Sequence, residues 1–176
     1  MKKFILFLTL FLSCLNIVYG QERKEFDFVI IVDDDDFCMI NAPQKIYLQN
    51  EKGEKTDIDF RYHPGNLSIS KEDYEKIKSF EGKIELHFSW NKDRNGKSHY
   101  YSYDIPLNKR LFAQTYVIIK IYNMDDKRYR KMYYPLKGKN YNYTLTSPPE
   151  ISQLLTKKQI KMLKRKNLWP SDCDCE

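Results

Sequence analysis

The stretch Lys83-Ile84-Glu85-Leu86-His87-Phe88-Ser89-Trp90 alternates apolar and polar side chains without a break. In an extended chain this places Ile84, Leu86, Phe88 and Trp90 on one face and the polar residues on the other, as in a half-buried strand. Weaker alternation recurs at 26–32, 45–49, 58–62, 100–105, 116–123, 129–136 and 141–145. About eight short strands with no long helix between them predict a mainly β fold, an antiparallel two-layer β-sandwich.

Turn chemistry punctuates these runs. Asn95-Gly96 marks a turn, expected in a loop of several residues. Met124-Asp125-Asp126-Lys127 separates two runs expected to pair as a hairpin, and Gly138 with Lys139-Asn140 marks the next turn. Two helices interrupt the pattern. Ser70-Lys71-Glu72-Asp73 is a cap-like start followed by Tyr74, Ile77 and Phe80 at helical spacing, which predicts a short crossing helix over 71–79. Ser147-Pro148-Pro149-Glu150 carries a capping serine, a proline and a glutamate three residues on, which predicts a C-terminal helix. Ile151, Leu154 and Leu155 would form its apolar stripe, with a restart at Thr156 leading to Ile160 and Leu163.

Residues 1–20 combine Lys2 and Lys3 with an apolar run and end at Gly20. That is the form of a secretory signal peptide, cleaved to leave Gln21 at the amino terminus. A membrane span needs about 20 apolar residues, and Asn16 interrupts this shorter stretch. Lipidation at Cys14 is the alternative, weakened by Leu12 where a small residue is preferred. The expected organisation is therefore a signal peptide (1–20), a sandwich (21–146) and a C-terminal helical segment with a cysteine-containing tail (147–176) packed on the same domain. The expected location is periplasmic or secreted.

The chain has 30 basic and 24 acidic residues, a formal charge of +6. The excess is local: Lys157, Lys158, Lys161, Lys164, Arg165 and Lys166 cluster with no acid among them. An exported protein rarely meets nucleic acid, so this patch suggests a membrane surface or an acidic protein partner in the envelope. Fourteen tyrosines add contact potential. Tyr101 and Tyr103 share the face of Ile105 and are expected in the core. Tyr116 and Tyr122 are expected to point outward, joining the basic helix in a partner surface.

Chemistry is harder to find. Calcium needs six to eight converging oxygens, whereas Asp33-Asp34-Asp35-Asp36 in extended chain would point to both faces. These acids are expected to form a solvated turn between two strands. His63, His87 and His99 lack the close spacing of zinc ligands, although a hairpin at Asn95-Gly96 would be one way to bring His87 and His99 together. No serine sits in a nucleophile elbow and no glycine-rich loop cradles phosphate. No catalytic residue or cofactor is nominated.

Cleavage leaves Cys38, Cys173 and Cys175 in an oxidising compartment. A Cys173–Cys175 bridge would close a strained small ring. Joining either cysteine to Cys38 closes a long loop, stabilising by about 4–5 kcal/mol in the chain-entropy model. The residues point to an exported envelope accessory or adaptor protein that acts by binding. A glycan-binding module or glycan-directed enzyme is the alternative, and a metal or redox role for the Cys-x-Cys tail a third.

Overall fold

A computed structural model describes residues 22–36, 44–94, 97–151, 153–166 and 168. The expected signal peptide (1–20) with Cys14, and also Cys38, Cys173 and Cys175, lie outside this set. Half of the described residues are strand, and among them nine strands of four or more residues form two antiparallel-rich sheets, as in a sandwich.

The larger sheet contains β1 (Arg23–Val32), β5 (Phe60–His63), β6 (Gly65–Ser70), β9 (Tyr116–Asn123), β10 (Tyr141–Ser147) and β11 (Glu150–Ile151), in the order β11-β10-β9-β1-β6-β5. The two-residue β2 (Asp35–Asp36) pairs with β1. The smaller sheet runs β4 (Lys55–Ile58), β3 (Lys45–Gln49), β7 (Lys83–Arg94), β8 (Lys97–Leu107). One pair departs from the antiparallel expectation: β1 and β9 run parallel, with Asp27 opposite Tyr116 and Val32 opposite Ile121.

The alternation read from the sequence is what fills the space between the sheets. Phe28, Ile30 and Val32 of β1 and Val117, Ile119 and Ile121 of β9 face Ile84, Leu86 and Phe88 of β7 and Tyr103 and Ile105 of β8 in one core. Tyr103 is fully buried as expected, and Tyr101 packs at the core's margin. The Tyr103 hydroxyl crosses between the layers to donate to Asn123 Oδ1 at 2.9 Å.

Three boundaries differ from the sequence expectation. The single run over 58–62 is two strands in two sheets. Asp59 is the crossing point, its N–H held by Asp73 (2.8 Å) and its carboxylate by Arg23 (2.7 Å). β5 then returns as β6 across Pro64-Gly65, where His63 pairs with Asn66 and Gly65 takes φ +89°. Proline followed by a left-handed glycine is the requirement of a type II turn. The β7–β8 ladder runs out to Arg94 opposite Lys97, so only two residues separate these strands, not a longer loop.

The crossing helix α1 (Lys71–Ser79) matches its predicted span. Ser70 caps it by accepting from the Asp73 N–H, Glu72 and Asp73 stand in its first turn, and Ile77 is buried. The segment after β10 is different from the expectation. Ser147 pairs with Glu150 around a cis Pro148–Pro149 bond, so Ser-Pro-Pro-Glu makes a tight turn into β11 where a helix start was expected. The C-terminal helix begins at the restart position: Thr156 and Gln159 form a capping box at the head of Lys157–Arg165.

Candidate functional site

The acid run builds the foundation of the site. Asp33 and Asp34 have φ of 54° and 64°, the left-handed pair of a two-residue hairpin turn, with Val32 opposite Asp35. Aspartate tolerates this region better than most residues. The expected turn between two strands is present and Asp34 is exposed, but Asp33 is buried, which corrects the expectation that it is solvated. Its carboxylate accepts from the Asn123 backbone N–H (2.9 Å) and side-chain amide (3.0 Å), its own N–H donates to Ile121 O, and Lys92 lies 3.5 Å away. Asp34 accepts from the Tyr129 hydroxyl at 2.5 Å. Protein donors therefore occupy both carboxylate oxygens of Asp33 and one of Asp34.

Tyr129 belongs to α2 (Lys127–Met132), a helix in the segment expected to be a strand. The physical reason is local. Asp126 caps the helix by accepting from the Arg128 N–H at 2.8 Å, and Tyr129 and Tyr133, four apart, both pack on Tyr122 at 5.2 Å between ring centroids. Burial raises the hydroxyl pKa of Tyr122 and, more strongly with the help of the Asp34 carboxylate, that of Tyr129. Both phenols are held neutral as structural groups. Tyr122 is thus half-buried beneath the turn of α2, and β9 pairs with β10 instead of the 129–136 segment.

The third helix, α3 (Lys157–Arg165), packs on α2. Lys157 donates to the Arg130 carbonyl at 2.8 Å, in the last turn of α2, and lies over the Tyr134 ring at 4.7 Å. A cation at a helix carboxyl end meets carbonyls that the helix itself cannot satisfy. Ile160 is buried. Four of the six residues of α2 and five of the nine in α3 are cationic, and neither helix contains an acid. Arg128 pairs with Asp126 at 3.1 Å. Among the described residues, no acid pairs with Lys127, Arg130, Lys131, Lys158, Lys161, Lys164 or Arg165.

The charges on the outer face of the smaller sheet behave in the opposite way. Lys45 pairs with Asp57 and Lys55 with Glu85, each at 3.0 Å, while His87 and Lys139 grip Asp104 at 2.6 and 2.7 Å. Burial works to raise the Asp104 pKa, but the bonds from Lys139 and His87 outweigh it and hold the carboxyl below its usual value. His99 lies opposite Lys92 and His87 opposite Asp104, so the hairpin does not bring the two histidines together. No group of three His, Cys, Asp or Glu residues positioned for a metal occurs among the described residues.

The expected partner surface is only partly one surface. Tyr116 is exposed but stands at the start of β9, whereas Tyr122 lies near its end, six residues or about 20 Å along the strand. Lys157, Lys158, Lys161, Lys164 and Arg165 lie together on α3, on the Tyr122 side. The sequence reading missed Lys127, Arg128, Arg130 and Lys131. The signal was present in Asp126 as a cap and in the four-residue spacing of Tyr129 and Tyr133, but alternating apolar residues at 129–136 suggested a strand. No protein-family model, no curated protein and no solved structure matches this chain.

Proposed function

We propose that this is an exported envelope accessory or adaptor protein that acts by binding, and that its docking face for an acidic partner is the cap formed by α2 and α3. The observation that carries this is the run of cations without acid partners on two packed helices, whereas Lys45, Lys55 and Lys139 at the outer face of the smaller sheet each pair with an acid. Fixed cations without local acids attract an anionic partner and speed its arrival. The cap is also anchored for that task through Asp34–Tyr129 below and Lys157–Arg130 between the helices. The double reversal Lys161→Glu with Lys164→Glu, recovered from cross-linked envelopes, loses partners that the unaltered protein retains. Unchanged recovery would sink this reading.

One observation favours a second reading, glycan binding. Trp90 and Tyr101 sit opposite one another near the end of the β7–β8 hairpin with rings 5.8 Å apart, His99 stacks 6.5 Å further along, and Lys92 lies over Trp90. Sugar rings stack on such rows. Both large rings are half-buried, which ranks this reading second. A glycan panel on purified protein, read for binding and cleavage, decides it.

A further inference from the structure

We infer that the α2–α3 cap docks on an anionic lipid bilayer surface, with Met162 and Leu168 entering the headgroup layer. The inference rests on the proposal that the cap is the docking face and names the chemistry of its partner.

The outward side of α3 is the side opposite buried Ile160. Met162 stands there, 50% exposed, with Lys158 four residues before it, Arg165 three after and Lys166 four after, all exposed. At an anionic bilayer surface, cations around an exposed apolar side chain meet lipid phosphates while the apolar group passes between headgroups. Leu168 follows, 65% exposed, its backbone fixed by donation from its N–H to Leu163 O at 3.0 Å. Met132 on α2 is a third exposed apolar residue, at 40%.

The kind of cation also discriminates. Lysine supplies six of the nine charges on the two helices: Lys127 and Lys131 on α2, and Lys157, Lys158, Lys161 and Lys164 on α3. Protein interfaces favour arginine and are depleted in lysine, because a fixed carboxylate is best gripped by a planar fork. A fluid anionic surface imposes no such geometry, and lysine clusters attract it through charge alone. No described helix is long and apolar enough to cross a membrane, so the contact proposed is with a surface.

The test is flotation of the full mature protein with phosphatidylcholine vesicles prepared with and without phosphatidylglycerol. The expected result is binding to the anionic vesicles only, weakening with added salt. Each outward cation replaced by glutamine, at Lys158, Lys161 or Arg165, weakens binding about fivefold. Met162→Ser weakens binding with the salt dependence unchanged, which a purely electrostatic contact would not show. These positions are exposed, and unchanged thermal unfolding confirms that each variant folds. Absence of vesicle binding, together with loss of a cross-linked partner in the Lys161→Glu/Lys164→Glu protein, overturns the lipid inference, leaves the docking face standing and makes the partner an acidic protein. Vesicle binding that survives all three glutamine substitutions overturns the inference as well. If vesicles do not bind and the double reversal retains every partner, the docking face itself falls.

Discussion

Asp33 holds a left-handed backbone and commits both carboxylate oxygens to Asn123, while Asn123 returns its own oxygen to Tyr103 on the facing sheet. Truncating Asp33 to alanine strands the buried Asn123 N–H and amide and places a Cβ-bearing residue with no compensating bond at positive φ. The expected cost is about 3 kcal/mol in urea unfolding. Asp33→Asn keeps the shape and part of the bonding and costs less. Asp73 gives a pH dependence of known sign. Burial acts to raise its pKa, but the bonds from Lys76, the Asp59 N–H and Ser70 prevail, and the folded value lies below the ordinary 3.8. A depressed carboxyl stabilises the fold above its unfolded pKa, and that contribution disappears as pH falls through the folded value. Thermal midpoints should therefore fall on acidification below about pH 4, and Asp73→Asn should flatten that part of the decline.

At the scale of elements, α3 depends on its cap. Thr156→Ala removes one half of a capping box and costs about 1 kcal/mol. The loss should appear as faster hydrogen exchange within 157–165, with exchange in β1 and β9 unchanged. A uniform rise across the sandwich would mean that α3 unfolds only with the whole molecule. The same local chemistry explains what was legible in the sequence. α1 was readable because its serine cap, acidic first turn and buried Ile77 all agree. α2 was not, because a six-residue helix shows barely two turns of period, and Met132, Tyr134 and Leu136 overlap its end with the alternation of a strand. β6 was missed because Ser68 and Ser70, buried beside Leu67 and Ile69, erase the polar half of the pattern. The Ser-Pro-Pro-Glu turn was misread because serine, proline and glutamate satisfy a helix start and a tight turn alike. The basic face of α3 was visible, but its extension onto α2 required the tertiary contact between the two helices.

At the scale of the whole molecule, the larger sheet is made from both ends of the chain. β1 lies between β6, which follows nearby, and β9, which pairs with it in parallel after the entire smaller sheet has been laid down. Such pairings are slow to form, and they make the fold depend on late residues. Beyond β11 the dependence ends. Every described strand is complete by Ile151, and Ile160, buried on α3, lies outside the main core cluster. A chain ending at residue 152 should therefore keep a cooperative urea transition, less stable by about 2 kcal/mol for the lost burial of Ile160. It should also lose binding to anionic vesicles. A chain ending at residue 114 lacks β9 and β10, so Phe28, Ile30 and Val32 lose the strand beside them, and Val117, Ile119, Ile121 and Tyr141 leave the core. That chain should show no cooperative transition. If the chain ending at 152 also fails to fold, α3 is part of the sandwich's own core. If it folds and still binds vesicles, the binding surface lies elsewhere.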